Sequence, residues 1–169
     1  MAWTAPRTWA VGEIVTAAYL NAQIRDNMKL LWRELSYTEF TSNVSVTATS
    51  AASPNDVVSS GAVTYEAKPI RITFQTTGVQ LGSTANAELL IHLWDGSTDL
   101  GRLALIKGVD GTETVVVPVQ ASRKLTPSAG SHTYKVTAYR TGSDGTIYGG
   151  AGGAGTTMPG FLRIEAAES

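Results

Sequence analysis

From Tyr37 to the end of the chain, apolar and polar residues alternate with a period of two, and this pattern limits the possible folds more than any other feature. Val63, Tyr65 and Ala67 alternate with polar residues in one run, and other runs are separated by Asp-Gly pairs typical of tight turns. Successive side chains of a strand point to opposite faces, so each run predicts a strand buried on one side. The region predicts about eight or nine short strands with no helix between them, which excludes a parallel βαβ fold.

We therefore predict a mainly β fold: a jelly-roll-like antiparallel β-sandwich preceded by an extended arm and one short N-terminal helix. An immunoglobulin-like sandwich is the alternative, because alternation does not reveal which strands pair. The chain contains no cysteine, so its core has to form without disulfide bonds. The change of pattern divides the chain into residues 1–37, an arm and helix for attachment and oligomerisation, and residues 38–169, the β-sandwich domain.

The first 15 residues have no helical periodicity and contain both proline and glycine, so we predict an extended arm. Trp3 and Trp9 lie in this arm, and large aromatic surfaces usually pack against something rather than remain in water. Their packing partner is either another protein or the chain's own core. On the first interpretation the arm is an anchor, formed by Trp3, Trp9, Gly12 and Glu13.

A helix is predicted after the arm, because Thr16 is a good N-cap and helix-forming residues follow it as far as Leu35. Within this stretch, apolar residues and one asparagine recur at spacings of four and three, as at the a and d positions of a coiled coil. This pattern predicts an oligomerisation helix in which Asn21 fixes the register, although an amphipathic helix lying on a sheet would show the same stripe. The predicted seam consists of Ala17, Asn21, Ile24, Met28, Leu31 and Leu35.

Charge and composition argue against several functions. The chain has 13 basic and 14 acidic residues and a formal net charge of -1, so we expect no nucleic-acid partner. No apolar run is long enough for a membrane-spanning helix, and we expect no membrane partner. His92 and His132 are the only histidines and lie in separate predicted strands, so we expect no metal site, no catalytic triad and no cofactor. The chain is predicted to be non-enzymatic.

Two other features of the sequence have both a structural and a functional interpretation. The glycine-rich segment 149–155 lacks the Gly-Lys-Ser/Thr ending of a phosphate-binding loop. We predict a loop in which glycine permits positive φ and close backbone approach, such as near a symmetry axis. Trp94 and Tyr148 lie next to predicted turns, where they could stack on a sugar ring, although aromatic residues there more often pack at a rim.

A specific motif, Trp-x-x-Gly-Glu-x-x-Thr-Ala-x-x-x-Asn, begins at Trp9 and is followed by Arg-Asp-Asn at residues 25–27. The block 8–27 resembles one found in virion proteins of tailed bacteriophages, among them minor tail proteins, tail-fibre proteins and small head proteins. Residues 129–135 and 159–165 are similar to the closing strands of jelly-roll domains on such proteins. Neither region carries a catalytic residue in that family.

The resemblance implies a non-enzymatic structural protein located in the virion. We expect a homotrimeric head decoration (cement) protein, anchored by its N-terminal arm to the major capsid protein. The alternative is a minor tail or tail-fibre protein that contacts other tail proteins and binds a host receptor or glycan. A free carbohydrate- or protein-binding module without a virion role is the third hypothesis.

Overall fold

The computed structural model describes residues 10–21, 34–82, 86–108 and 115–167, together with the single residues 8, 24 and 84. One short helix and twelve strands form in this part of the chain, which confirms the predicted mainly β fold. The only helix among these residues is far too short to cross a bilayer. Its bounds are Ala17–Leu20 (α1), and the strands are β1 Glu34–Phe40, β2 Val44–Val46, β3 Asn55–Ser59, β4 Val63–Tyr65, β5 Ile70–Leu81, β6 Glu88–Asp95, β7 Thr98–Lys107, β8 Val116–Leu125, β9 Gly130–His132, β10 Tyr134–Thr141, β11 Gly145–Tyr148 and β12 Gly160–Ala166.

Two antiparallel sheets pack as a sandwich, and their strand order is that of a jelly roll. The first sheet contains the order β1-β12-β5-β8, and the second has the order β3-β10-β6-β7. When these eight longer strands are numbered along the chain, the orders become 1-8-3-6 and 2-7-4-5, which two interlocking Greek keys produce. The short strands β11 and β2 extend the first sheet, and β4 pairs with β9 in a separate ribbon. This pairing favours the jelly roll over the immunoglobulin-like alternative.

The inward-facing residues of the two sheets form one hydrophobic core. In β6 of the second sheet, Leu89, Ile91 and Leu93 are fully buried at alternate positions. Phe74 of β5 and Leu162 of β12 are fully buried on the inner face of the first sheet. Each such side chain contributes roughly 1.5–3 kcal/mol through its removal from water. The sandwich therefore has a core of its own.

The edge strand β8 is tied to the second sheet by an arginine. Among the described residues β8 pairs only with β5, and its Arg123 lies opposite the buried Ile72. The Arg123 guanidinium donates a hydrogen bond to the Leu100 carbonyl of β7. An inward-pointing charge on an edge strand discourages pairing with the edges of other chains. Here the same side chain also joins the two sheets at their open corner.

The glycine-rich loop between β11 and β12 uses glycine in both predicted ways. Gly152, Gly153 and Gly155 have positive φ values, which other residues rarely adopt. At Gly150 a side chain would collide with the Thr157 carbonyl, because the two arms of the loop approach closely there. The suggested position of this loop near a symmetry axis stays a prediction.

The predicted helix is wrong at its C-terminal end. Strand β1 begins at Glu34, so Leu35 lies in a strand and packs against the hydrophobic core. Pairing of β1 with β12 and contact of Leu35 with the core outweigh the helical propensity of these residues. The seam position proposed for Leu35 is therefore lost.

Strand β3 (Asn55–Ser59) is missing from the sequence-based prediction, because Asn55 and Asp56 are typical turn residues. In the structure the Asn55 side chain accepts hydrogen bonds from the backbone N–H groups of Thr47 and Ala48. The two valines that follow are buried. The turn-like residues thus act at the start of a strand that reaches the core.

Candidate functional site

The Gly-Glu pair of the N-terminal motif forms a local turn. The Glu13 N–H donates to the Ala10 carbonyl at 3.1 Å, and Gly12 has a φ of 83°. This positive φ is what the third residue of a type II turn requires, and glycine is favoured there. The Glu13 carboxylate in turn accepts from the Ala10 N–H at 3.2 Å. Gly12 and Glu13, predicted as anchor residues, therefore shape the segment that carries the neighbouring apolar side chains.

The start of the predicted helix is confirmed. The Thr16 hydroxyl accepts from the Tyr19 N–H at 3.4 Å, as an N-cap does. Asn21 follows α1 as its C-cap, half-buried, and donates its N–H to the Ala17 and Ala18 carbonyls. These contacts explain the Thr and Asn of the motif by local structure; the predicted role of Asn21 in fixing a coiled-coil register stays a prediction.

The remaining residues of the predicted anchor and seam divide into two groups. Ile24 is described and is 52% exposed. Trp3, Trp9, Met28 and Leu31 lie outside the described residues.

Several apolar side chains near the N-terminus are exposed to solvent. Ile14 is 79% exposed, and α1 has no buried residue. A group of exposed apolar side chains close together in the chain is typical of an interaction surface. We call the exposed side chains of Val11, Ile14, Val15, Leu20 and Ile24 the N-terminal apolar segment.

A lysine occupies one face of the Trp94 ring, which was predicted as a sugar-stacking residue. Trp94 lies half-buried in β6, and the Lys135 ammonium lies 5.8 Å from its ring centroid, a cation–π contact. Its indole nitrogen is buried and has no hydrogen-bond partner among the described residues. Tyr148 lies in β11 of the other sheet, where its hydroxyl donates to the Gln80 side chain. The two predicted stacking residues thus lie in different sheets of the sandwich.

His132, Asp95 and Ser128 come together at one end of the sandwich. The His132 Nδ1 lies 2.6 Å from a carboxylate oxygen of Asp95, and its Nε2 lies 3.1 Å from the Ser128 hydroxyl. These distances resemble those of a Ser-His-Asp triad. However, Nε2 is also 3.1 Å from the Ser128 carbonyl oxygen, which can only accept a hydrogen bond. Because Nε2 lies equally close to both oxygens of Ser128, the histidine joins the end of β6 to the loop before β9, and the geometry does not single out the Ser128 hydroxyl.

Two buried tyrosines surround this histidine. The Tyr134 ring stacks on the His132 ring at 5.9 Å, and Tyr65 meets both rings edge-on. Burial, followed by the charge of Asp95, raises the pKa of Tyr65 to about 12 and also raises the pKa of Tyr134. The Tyr65 hydroxyl is buried without a hydrogen-bond partner among the described residues. The sequence places His132 in a predicted strand but does not reveal its pairing with Asp95, which lies 37 residues earlier in the chain.

The second histidine is also paired with an aspartate. His92 Nδ1 lies 2.9 Å from a carboxylate oxygen of Asp99, whose other oxygen accepts from the Gly101 N–H at 2.8 Å. This arrangement joins the start of β7 to β6 and gives His92 a structural role. In the part of the chain that the structure describes, no three His, Cys, Asp or Glu side chains are grouped to hold a metal ion.

Comparison with known proteins does not place the chain in a family. No protein-family model and no curated protein matches it. Among solved structures it is similar to the C-terminal domain of the sugar-binding protein EclA, with a TM-score of 0.37 and 10% identity over 75% of this chain and 79% of that one. Eiger TNF from S. frugiperda gives a TM-score of 0.37 and 15% identity, covering 81% and 95% of the two chains.

A carbohydrate-binding module of lichenase 5A from Cellvibrio mixtus gives a TM-score of 0.31 and 12% identity, covering 80% of this chain and 91% of that one. TM-scores this low transfer neither ligand nor function. The assignment to the jelly-roll class therefore depends on the strand order of this chain.

Proposed function

We propose that the chain is a non-enzymatic structural protein of a tailed-phage virion, a homotrimeric head decoration protein held on the capsid by its N-terminus. The observation that supports this most strongly is the N-terminal apolar segment, which stays exposed while the sandwich has its own core. The resemblance of residues 8–27 to phage virion proteins falls on the same part of the chain. Attachment to the major capsid protein would bury these side chains.

Attachment through three copies makes modest contacts sufficient. Complete burial of a single side chain such as Ile14 or Ile24 contributes roughly 1.5–3 kcal/mol. In a trimer the second and third contacts form within one complex, so their effective concentration is high and the avidity exceeds that of one segment. A short segment with few anchor residues can therefore hold a whole domain on a lattice.

Deletion of residues 1–15 is expected to abolish binding to capsids that lack the protein, while the sandwich stays folded. A sharper test compares Ile14→Asp with Met158→Asp, because both residues are exposed and apolar but Met158 lies in the loop before β12. Co-sedimentation with purified heads should show binding lost for Ile14→Asp and retained for Met158→Asp. Wild-type binding by the Ile14→Asp variant would contradict the proposal.

A minor tail or tail-fibre protein is the second candidate, because the resemblance of residues 8–27 extends to those classes as well. The engaged ring of Trp94 and its separation from Tyr148 give no support to the sugar-stacking site that this candidate would use. We therefore favour the head decoration protein.

A further inference from the structure

We propose that the outward face of the first sheet, formed by β1, β12, β5 and β8, is the surface through which copies of this chain associate. The number of copies, three, rests on the proposed function, whereas the choice of surface rests on the geometry of this face. The partner is a second copy of the same chain, because the charges on the face are complementary to one another.

The centre of this face carries an aromatic pair and several uncharged polar side chains. Tyr37 and Phe161 lie side by side with their ring centroids 5.3 Å apart, and Tyr37 is 44% exposed. Next to them, the Thr73 and Ser122 hydroxyls lie 3.3 Å apart across β5 and β8, and Gln75 lies opposite Phe161. Aromatic residues are enriched at the centres of protein interfaces. Two charged side chains flank the aromatic pair on the same face: Arg163 lies opposite Tyr37, and Glu39 accepts a hydrogen bond from the Tyr37 hydroxyl at 2.9 Å.

A row of charged cross-strand neighbours crosses the face beside the aromatic pair. The row crosses all four strands, with two acidic residues on β1 and β12 and two basic residues on β5 and β8. Its members in order are Glu34, Glu165, Arg71 and Lys124. Within the chain, Glu165 forms an ion pair with Arg163 of its own strand at 3.4 Å. The face is therefore acidic at its β1 side and basic at its β8 side.

This charge order is complementary when copies meet head to tail. The β1 side of one copy, with Glu34, then faces the β8 side of the next, with Lys124. Head-to-tail contacts of this kind are heterologous, and they form a closed ring when the rotation between copies allows it. Complementary charges favour this head-to-tail arrangement over arrangements that bring like charges together. Because Leu35 lies in β1, the predicted helical seam is shorter, and the sandwich face offers a second contact area.

Charge reversal of the full-length chain tests the surface. We expect the wild type to sediment as a trimer at micromolar concentration in analytical ultracentrifugation. Glu34→Lys and Lys124→Glu should each weaken association by about tenfold or more, because each places like charges opposite one another. The double variant restores opposite charges and should associate like the wild type. Arg102→Glu is the matched control, since Arg102 is exposed on β7 of the second sheet, and it should leave association unchanged.

Mixing the double variant with the wild type makes the test independent of folding defects. Each protein should form trimers with itself but not with the other, because mixed contacts oppose like charges. Unchanged association of both single variants would overturn the choice of face, as would free mixing of the two proteins or a monomeric wild type. A monomer that still decorates heads would contradict this inference but not the attachment role. A trimer that fails to bind heads would contradict the attachment role but not this inference.

Discussion

The N-terminal apolar segment and the sandwich use the same residue types in opposite ways. Ile14 is 79% exposed, whereas Ile72 of β5 is 1% exposed. The inward face of β5 meets a second sheet, while the four-residue helix α1 buries none of its side chains. Apolar residues thus form a core only where the topology supplies a second layer. Those of the N-terminal segment remain available to another molecule.

Truncation of a core side chain should give the largest effect. Phe74 is fully buried and stacks on Phe40 with ring centroids 6.2 Å apart. Phe74→Ala is expected to lower the free energy of unfolding by about 3–5 kcal/mol, because it removes buried surface and leaves a cavity. Ile14→Ala is the matched change in the exposed segment and should alter the free energy of unfolding by less than about 0.5 kcal/mol. Denaturant unfolding measures both, and equal losses would show that the segment packs on the sandwich.

A smaller effect is expected at the end of the sandwich near His132, where the buried Tyr65 hydroxyl has no hydrogen-bond partner among the described residues. Tyr65→Phe should raise the free energy of unfolding at pH 7 by about 1 kcal/mol, because the variant no longer buries this polar group. Tyr37→Phe is the control, since the Tyr37 hydroxyl is exposed and donates to Glu39 at 2.9 Å. We expect little change there. A destabilised Tyr65→Phe variant would mean that the hydroxyl has a favourable partner.

The same tyrosine sets an alkaline limit on stability. Its pKa is raised to about 12 in the folded chain, above the ordinary value of 10.0, so the folded state holds this proton more tightly than the unfolded state does. The corresponding stability is complete below pH 10 and is lost as the pH rises towards 12. Between pH 10 and 12 the free energy of unfolding should fall less steeply in the Tyr65→Phe variant than in the wild type. An identical pH dependence would contradict the assignment to Tyr65.

The fold class could be predicted because period-two alternation directly reflects which face of a strand is buried. The hairpin of β6 and β7 and the N-cap at Thr16 also follow from local signals. The pairing of strands could not be predicted, since it depends on contacts between distant parts of the chain. Strand β3 was not predicted because it begins with polar residues. Leu35 was assigned to the helix because its apolar spacing suits either a helix or a strand.

The candidate sites were less predictable than the fold. Gly12 and Glu13 stood out through their motif, yet the turn that they form became clear only from the backbone. The pairing of His132 with Asp95 and the charge row on the first sheet join residues that are far apart in sequence. Such groups need the strand register before they can be recognised.

The proposed location on a phage head is tested most directly by immunogold labelling of intact particles of the proposed phage. An antibody against the sandwich should leave the N-terminal segment free to hold the protein in place. We expect label spread over the surface of the head. Label confined to the tail, or particles without label, would contradict the assignment as a head decoration protein.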